Sequence, residues 1–152
     1  MAAHEGGLVP SIRRCSRGDF PAVVDLLRQQ WPLPGARESA LRDAYERGLA
    51  SPRQRYLCAE LDARVVGFGS LTLTSNLRQD GPVGRLDELV VDRDYRCRGI
   101  ATSLMRAIEE LAAGVGCTRL ELDCDFHRKD EHAFFEQRQF ERRALLFSKR
   151  LS

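Results

Sequence analysis

Between Leu86 and Val115 the chain changes its hydrophobic period once, abruptly, and this constrains the fold more than any other feature. Leu86 to Val91 is short, apolar at its end and β-branched, the pattern of a strand. From Arg98 to Val115, the residues Ile100, Leu104, Ile108, Leu111 and Val115 recur at spacings of three or four, the pattern of an amphipathic helix. Only Asp92 to Cys97 separates the two. Leu120 and Leu122 then alternate with Glu121 and Asp123 and predict a further strand. A strand–turn–helix–strand unit from Leu86 to Cys124 implies an α/β or α+β chain built on one mixed sheet.

The flanking segments fill out that sheet. Ile12 to Cys15 reads as a short strand. Ser16 or Asp19 caps a helix that runs to Gln30, with Phe20, Val23, Val24, Leu26 and Leu27 on its apolar face. Trp31-Pro32-Leu33-Pro34-Gly35 ends it. Glu38 to Gly48 predicts a second helix, with Gly48 as its stop. Arg55 to Glu60 and Val65 to Thr74 read as strands joined by Asp62-Ala63-Arg64, and Ser75 to Gly84 as a loop. Glu131 to Arg138 predicts a helix, and Ala144 to Leu151 a closing strand. Residues 1–10 read as a flexible N-terminus and 11–152 as a single domain, about the size one domain takes.

Charge and cysteine content remove whole classes of function. The formal net charge is +2, and no basic run exceeds two arginines, so no nucleic-acid partner is expected. No apolar stretch approaches about 20 residues, so no membrane span is expected. The N-terminus lacks the basic-then-apolar pattern of a secretion signal. The cysteines Cys15, Cys58, Cys97, Cys117 and Cys124 are odd in number and contain no Cys-x-x-Cys pair. This argues against a disulfide framework and against a zinc site, and predicts free thiols in a reducing cytoplasm with no metal. His127 and His132 lie five apart, off the spacing a metal pair prefers on a helix, and read as structural.

The turn after Val91 carries the chemistry. A helix that starts near Gly99 leaves backbone N–H groups from about Cys97 to Thr102 without intrahelical partners, at the positive end of the helix dipole. Gly99 lets an anion approach the backbone, Ala101 keeps the next turn slim, and Arg96 and Arg98 add positive charge. A pyrophosphate is the expected ligand. There is neither a Gly-Lys-Ser/Thr nor a Gly-x-Gly-x-x-Gly pattern, which disfavours a nucleotide P-loop and a dinucleotide fold.

What remains, Arg96-x-x-Gly99-x-Ala101 after Leu89-Val90-Val91, resembles the acetyl-CoA signature of the GNAT superfamily of N-acetyltransferases. His127-Arg128-Lys129-Asp130-Glu131-His132-Ala133-Phe134-Phe135 is similar to the penultimate helix of a small-amine and aminoalkylphosphonate subgroup, and Phe147-Ser148-Lys149-Arg150-Leu151 looks like that subgroup's ending. The likeness extends over the chain after residue 10. It implies a mixed, mostly antiparallel sheet of six to seven strands, flanked by about four helices and splayed at the cofactor strand.

The resemblance also implies roles. Acetyl-CoA would be the cosubstrate. The backbone of Leu89, Val90 and Val91 would pair with its pantetheine arm, and Arg96, Cys97, Arg98, Gly99, Ile100, Ala101 and Thr102 would hold its pyrophosphate. Arg128 joins the cofactor-binding set. A primary amine of a small molecule or peptide would attack the thioester directly. Glu88 is the candidate base; consecutive strand residues face opposite sides, so only one of Asp87 and Glu88 is expected on the acceptor side. Asp87, Glu88, Asp123 and Asp125 favour a cationic acceptor, whereas Arg85 and Arg128 favour an amino-phosphonate or amino acid. Phe135 stands where the family places a phenol as acid, Glu131 where it usually has Ala, and Gln139 where Gly commonly precedes Phe140. The alternative is therefore a catalytically impaired CoA-binding domain acting as a regulator or partner subunit. The family is often dimeric, and a homodimer through the final strand or second helix is the expected assembly.

Overall fold

The computed structural model describes residues 9–33 and 37–152. Most of the segment expected to be a flexible N-terminus, and the expected helix breakers Pro34 and Gly35, lie outside the described residues. The chain divides into two compact units, one through Glu121 and one from Leu122.

The first unit is a sheet covered on both faces. Its strands are β1 (Ser11–Arg14), β2 (Gln54–Leu61), β3 (Arg64–Thr74), β4 (Val83–Val91) and β5 (Arg119–Glu121), in that spatial order. Neighbours are antiparallel except β4 and β5, which are parallel. A parallel pair needs a long crossover, and α3 (Ile100–Gly114) supplies it. Helices α1 (Phe20–Gln30) and α2 (Glu38–Ala50) precede β2.

Alternation along the strands decides which helix each side chain meets. Cys58, Phe68 and Val90 are register partners across β2, β3 and β4. They form one core with Phe20, Val23, Val24 and Leu26 of α1 and Tyr45 of α2. On the other face, a Cβ at Gly67 would stand 3.0 Å from the Leu104 side chain, and one at Gly69 2.8 Å from Ile108. These two glycines let α3 lie close against β3. The buried seam of α3 is Ile100, Leu104, Met105, Ile108 and Ala112, while Val115 is exposed.

Three expectations are corrected. The sheet has five strands, not six to seven. Ala144 to Leu151 forms no strand; Leu145, Leu146, Phe147 and Leu151 are all exposed, and no backbone hydrogen bond engages residues 141–152 among the described residues. A short apolar run makes a strand only where a neighbouring strand accepts its backbone groups. Gly48 does not stop α2, which continues to Ala50. It instead makes room for Tyr56, whose hydroxyl would lie 1.9 Å from a Cβ at that position.

The second unit holds α4 (Lys129–Glu136) and an aromatic cluster. Phe135 is buried and meets Phe134 and Phe140 edge-on, with centroids 5.1 and 5.5 Å away. The chain leaves α4 through Gln139, whose φ of 69° is left-handed, and Phe140 N–H closes back on Phe135 O at 3.1 Å. A glycine suits such a position, so the departure at Gln139 strains the backbone. No helix of the described residues is long and apolar enough to cross a membrane.

Candidate active site

The geometry of the site begins with a bulge. β3 and β4 pair in register from Gly67 with Val91 to Ser70 with Glu88, and the next pair is Leu71 with Leu86. Asp87 is thus the extra residue on β4, and a bulge of this kind turns its strand locally. Ser70 and Thr72 share one face of β3. The Ser70 hydroxyl donates to Glu88 Oε1, and the Thr72 hydroxyl donates to Asp87 Oδ2. Both carboxylates therefore meet the same face, which corrects the expectation that only one would. It is the face that carries Phe68 and packs on α1 and α2.

Glu88 is half-buried and Ser70 is 1% exposed. Burial pushes the Glu88 carboxyl above the usual carboxylate range; the Ser70 hydrogen bond opposes that shift and the Asp87 charge adds to it. Tyr56 lies opposite Ser70 on β2, so Tyr56, Ser70 and Glu88 form one row across three strands. Its ring stacks on Tyr45 at 5.5 Å and meets Phe68 edge-on at 5.7 Å. Burial, then the charges of Glu88 and Asp87, raise the Tyr56 phenol.

The opposite edge of β4 is open. β5 pairs only with Val83, Gly84 and Arg85, so Leu86 to Val91 has no ladder partner on that side among the described residues. Backbone donors and acceptors there suit an added extended chain. The side chain of Val90 belongs to the core, so at that position the strand offers its backbone.

Beyond Val91 the turn is tied down at each step. Asp92 N–H donates to Val66 O at 2.8 Å, and the buried Asp92 carboxylate accepts from Asp94 N–H at 2.9 Å. Arg93 N–H donates to Gln29 Oε1 of α1 at 2.9 Å. Cys97 and Gly99 take left-handed φ values of 61° and 79°. α3 then starts at Ile100, two residues later than its apolar period predicts, and Ser103 N–H is bonded to Gly99 O at 3.0 Å. The N–H groups of Ile100 and Ala101 precede that first helical bond, and no side chain caps the helix at Gly99. A Cβ at Gly99 would meet nothing within 4 Å, so this glycine serves the backbone conformation in open space.

Arginines surround this turn. Arg96 Nε donates to Val91 O at 3.2 Å, and the guanidinium groups of Arg98 and Arg64 lie 5.1 and 5.6 Å from the Tyr95 ring. Donors, positive charge and an open strand edge fit a pyrophosphate joined to an extended amide arm, the chemistry of CoA. The side chain of Ile100 is core, so only its N–H faces that role. Cys97 is exposed.

Of the residues expected at the site, Glu88 to Val91 and Arg96 to Thr102 follow one another along β4, the turn and α3. Arg128 lies in the second unit, paired with Glu131 at 3.1 Å and Asp125 at 3.4 Å. His132 Nε2 sits 2.8 Å from Asp125 O within that unit. Ser70, Thr72 and Arg64 were not legible in the sequence: only the bulged register brings the two hydroxyls to the carboxylates. Elsewhere, donor atoms of Cys15, Asp19 and Cys58 lie within 4.8 Å of one another. Asp19 is already engaged there by the Arg13 guanidinium at 2.8 and 2.9 Å and by Ser16 N–H at 2.7 Å, which makes the group a core ion pair.

Residues 20–140 match the model of the acetyltransferase (GNAT) family, and the chain belongs to that family. It is 30% identical over 105 residues to glucosamine 6-phosphate N-acetyltransferase 1 of Oryza sativa subsp. japonica, covering 66% of this chain and 64% of that protein. It is 34% identical over 122 residues to the same organism's probable glucosamine 6-phosphate N-acetyltransferase 2, covering 80% and 68%. The chain thus spans about two thirds of the length of these relatives. In fold it is similar to an aminoglycoside N-acetyltransferase solved in complex with CoA, at a TM-score of 0.81 and 23% identity over 95% of this chain and 97% of that one.

Proposed function

We propose that the chain transfers the acetyl group of acetyl-CoA to the primary amine of a small polar molecule by direct attack, with Glu88 as general base. The observation that carries this is the placement of Glu88: a half-buried carboxylate with a raised pKa, one residue from a bulge, on a strand whose other edge is open. Bound acetyl-CoA supplies an acetyl group activated as a thioester with a thiolate leaving group. The backbone of Leu89, Val90 and Val91 lines its arm, and Arg96 to Thr102 hold its pyrophosphate. Arg128 enters this set through the family resemblance.

Glu88 takes the proton from the acceptor's ammonium, directly or through one water, and leaves the amine nucleophilic. A base with a pKa above the ordinary range suits that task near neutral pH. Phe135 has no proton to give, so water protonates the departing thiolate. The names of the two rice relatives and the two carboxylates on one face support an amino sugar or another hydroxylated amine as acceptor. A peptide amine is the competing acceptor class.

The family match from residue 20 to 140 supports reading 11–152 as one acetyltransferase domain. Five free cysteines support a reducing, cytoplasmic setting. The exposed apolar residues near the C-terminus support a homodimer, which light scattering after size exclusion tests.

The test of activity is thiol release from acetyl-CoA with a panel of amino sugars, aminoglycosides, polyamines and peptides, repeated with Glu88→Gln. Turnover of an amine, reduced about 10²–10⁴-fold by Glu88→Gln at pH 7, is expected. Tight CoA binding with no thiol release across the panel would overturn the proposal.

A further inference from the structure

We infer that Ser70 is the positioning residue of the reaction: its hydroxyl fixes the Glu88 carboxylate toward the acceptor amine. This rests on the reading of Glu88 as the base. Ser70 is the last β3 residue paired in register before the bulge at Asp87. Its hydroxyl accepts from Glu88 N–H at 3.0 Å and donates to Glu88 Oε1. A serine hydroxyl has one proton and two lone pairs. With a lone pair committed to the Glu88 amide, its one proton is directed at Oε1 rather than left free to rotate.

The arrangement closes a small ring between Glu88 and one buried neighbour. It holds a long side chain whose carboxylate would otherwise sample several rotamers. Oε2 and the remaining lone pairs stay available for the proton to be removed. A general base must sit within hydrogen-bond reach of that proton, so fixing its direction serves the rate as well as the fold. The same bond also favours the ionised form of Glu88, against its burial and against Asp87. Ser70 is buried, so water does not readily replace it. Thr72 makes the corresponding bond to the more exposed Asp87.

Ser70 also satisfies an amide that the bulge takes out of the ladder, which is a structural role. The pH dependence of kcat/KM separates the two. Loss of the donor makes Glu88 easier to protonate, so Ser70→Ala should move the acid limb upward by about 0.5–1 pH unit and lower kcat about ten-fold, with KM for acetyl-CoA within about two-fold. Ser70→Thr, which keeps a hydroxyl, should return the limb toward its original position. Ser70→Cys, a weaker donor of nearly the same shape, should lie between and decides the question if Ser70→Ala does not fold. An acid limb unmoved in Ser70→Ala, or unmoved in Ser70→Cys where only that variant folds, would overturn the inference and leave Ser70 as a filler of the bulge. Glu88→Gln runs alongside. If it keeps the wild-type limb, the base assignment itself fails, whatever Ser70 does.

Discussion

Asp87 and Glu88, adjacent on one strand, present their carboxylates to the same face of the sheet, where Thr72 and Ser70 of the neighbouring strand each donate a hydroxyl to one of them. A regular strand would send them to opposite sides. The bulge at Asp87 turns two consecutive acids into a local pair, and the negative charge of one raises the pKa of the other.

Asp87→Asn should therefore make Glu88 easier to ionise. The acid limb of kcat/KM should move down by about 0.3–1 pH unit, opposite in sign to the Ser70→Ala shift. A pH–rate profile from pH 5 to 9 measures it, and a limb that moves up would contradict the geometry.

Gly99 holds its left-handed φ in open space, so the cost of replacing it is conformational rather than steric. Gly99→Val should cost about 1–2 kcal/mol in that conformation. The helix start should shift and the CoA Kd rise at least about ten-fold. Titration calorimetry with CoA checks this; an unchanged Kd would place the pyrophosphate elsewhere.

Asp19 accepts two hydrogen bonds from Arg13, which hold its carboxyl down at about 2. A depressed folded-state value means stability that is present above the ordinary Asp range and lost as pH falls from about 4 toward 2. Arg13 is a third exposed, so solvent screening limits this to about 1–2 kcal/mol. Asp19→Asn should lower the urea midpoint at pH 7 and flatten stability between pH 4 and 2. Equal loss for both proteins across that window would rule out this pair as a source of acid sensitivity.

Gln139 occupies a left-handed position that closes the turn after α4. Gln139→Gly should relieve strain and stabilise the protein by about 0.5–1 kcal/mol, offset in part by the added freedom of the unfolded chain. Thermal melts of the two proteins compare directly, and a lower Tm for the glycine variant would show that Gln139 earns its place through contacts instead.

The sequence by itself determined the elements whose signal is local. The apolar period marks α3, and the β-branched run ending at Val91 marks β4, because burial of a helix stripe or a strand face writes itself into spacing. The helix start at Gly99 is legible for a similar reason: a short turn, a glycine and flanking arginines lie within one stretch of chain. Tertiary structure alone decided what depends on partners. Ala144 to Leu151, apolar over Leu145 to Phe147, reads as a closing strand, yet no backbone hydrogen bond engages it among the described residues, so it forms no ladder. Gly48 looks like a helix stop, but Tyr56 on a distant strand fills the space it leaves. Above all, one extra residue between two paired strands is invisible in a one-dimensional pattern. That residue, Asp87, sets the register that brings Ser70 to Glu88, because hydrogen-bond pairing between strands, not the sequence of either, fixes which side chains meet.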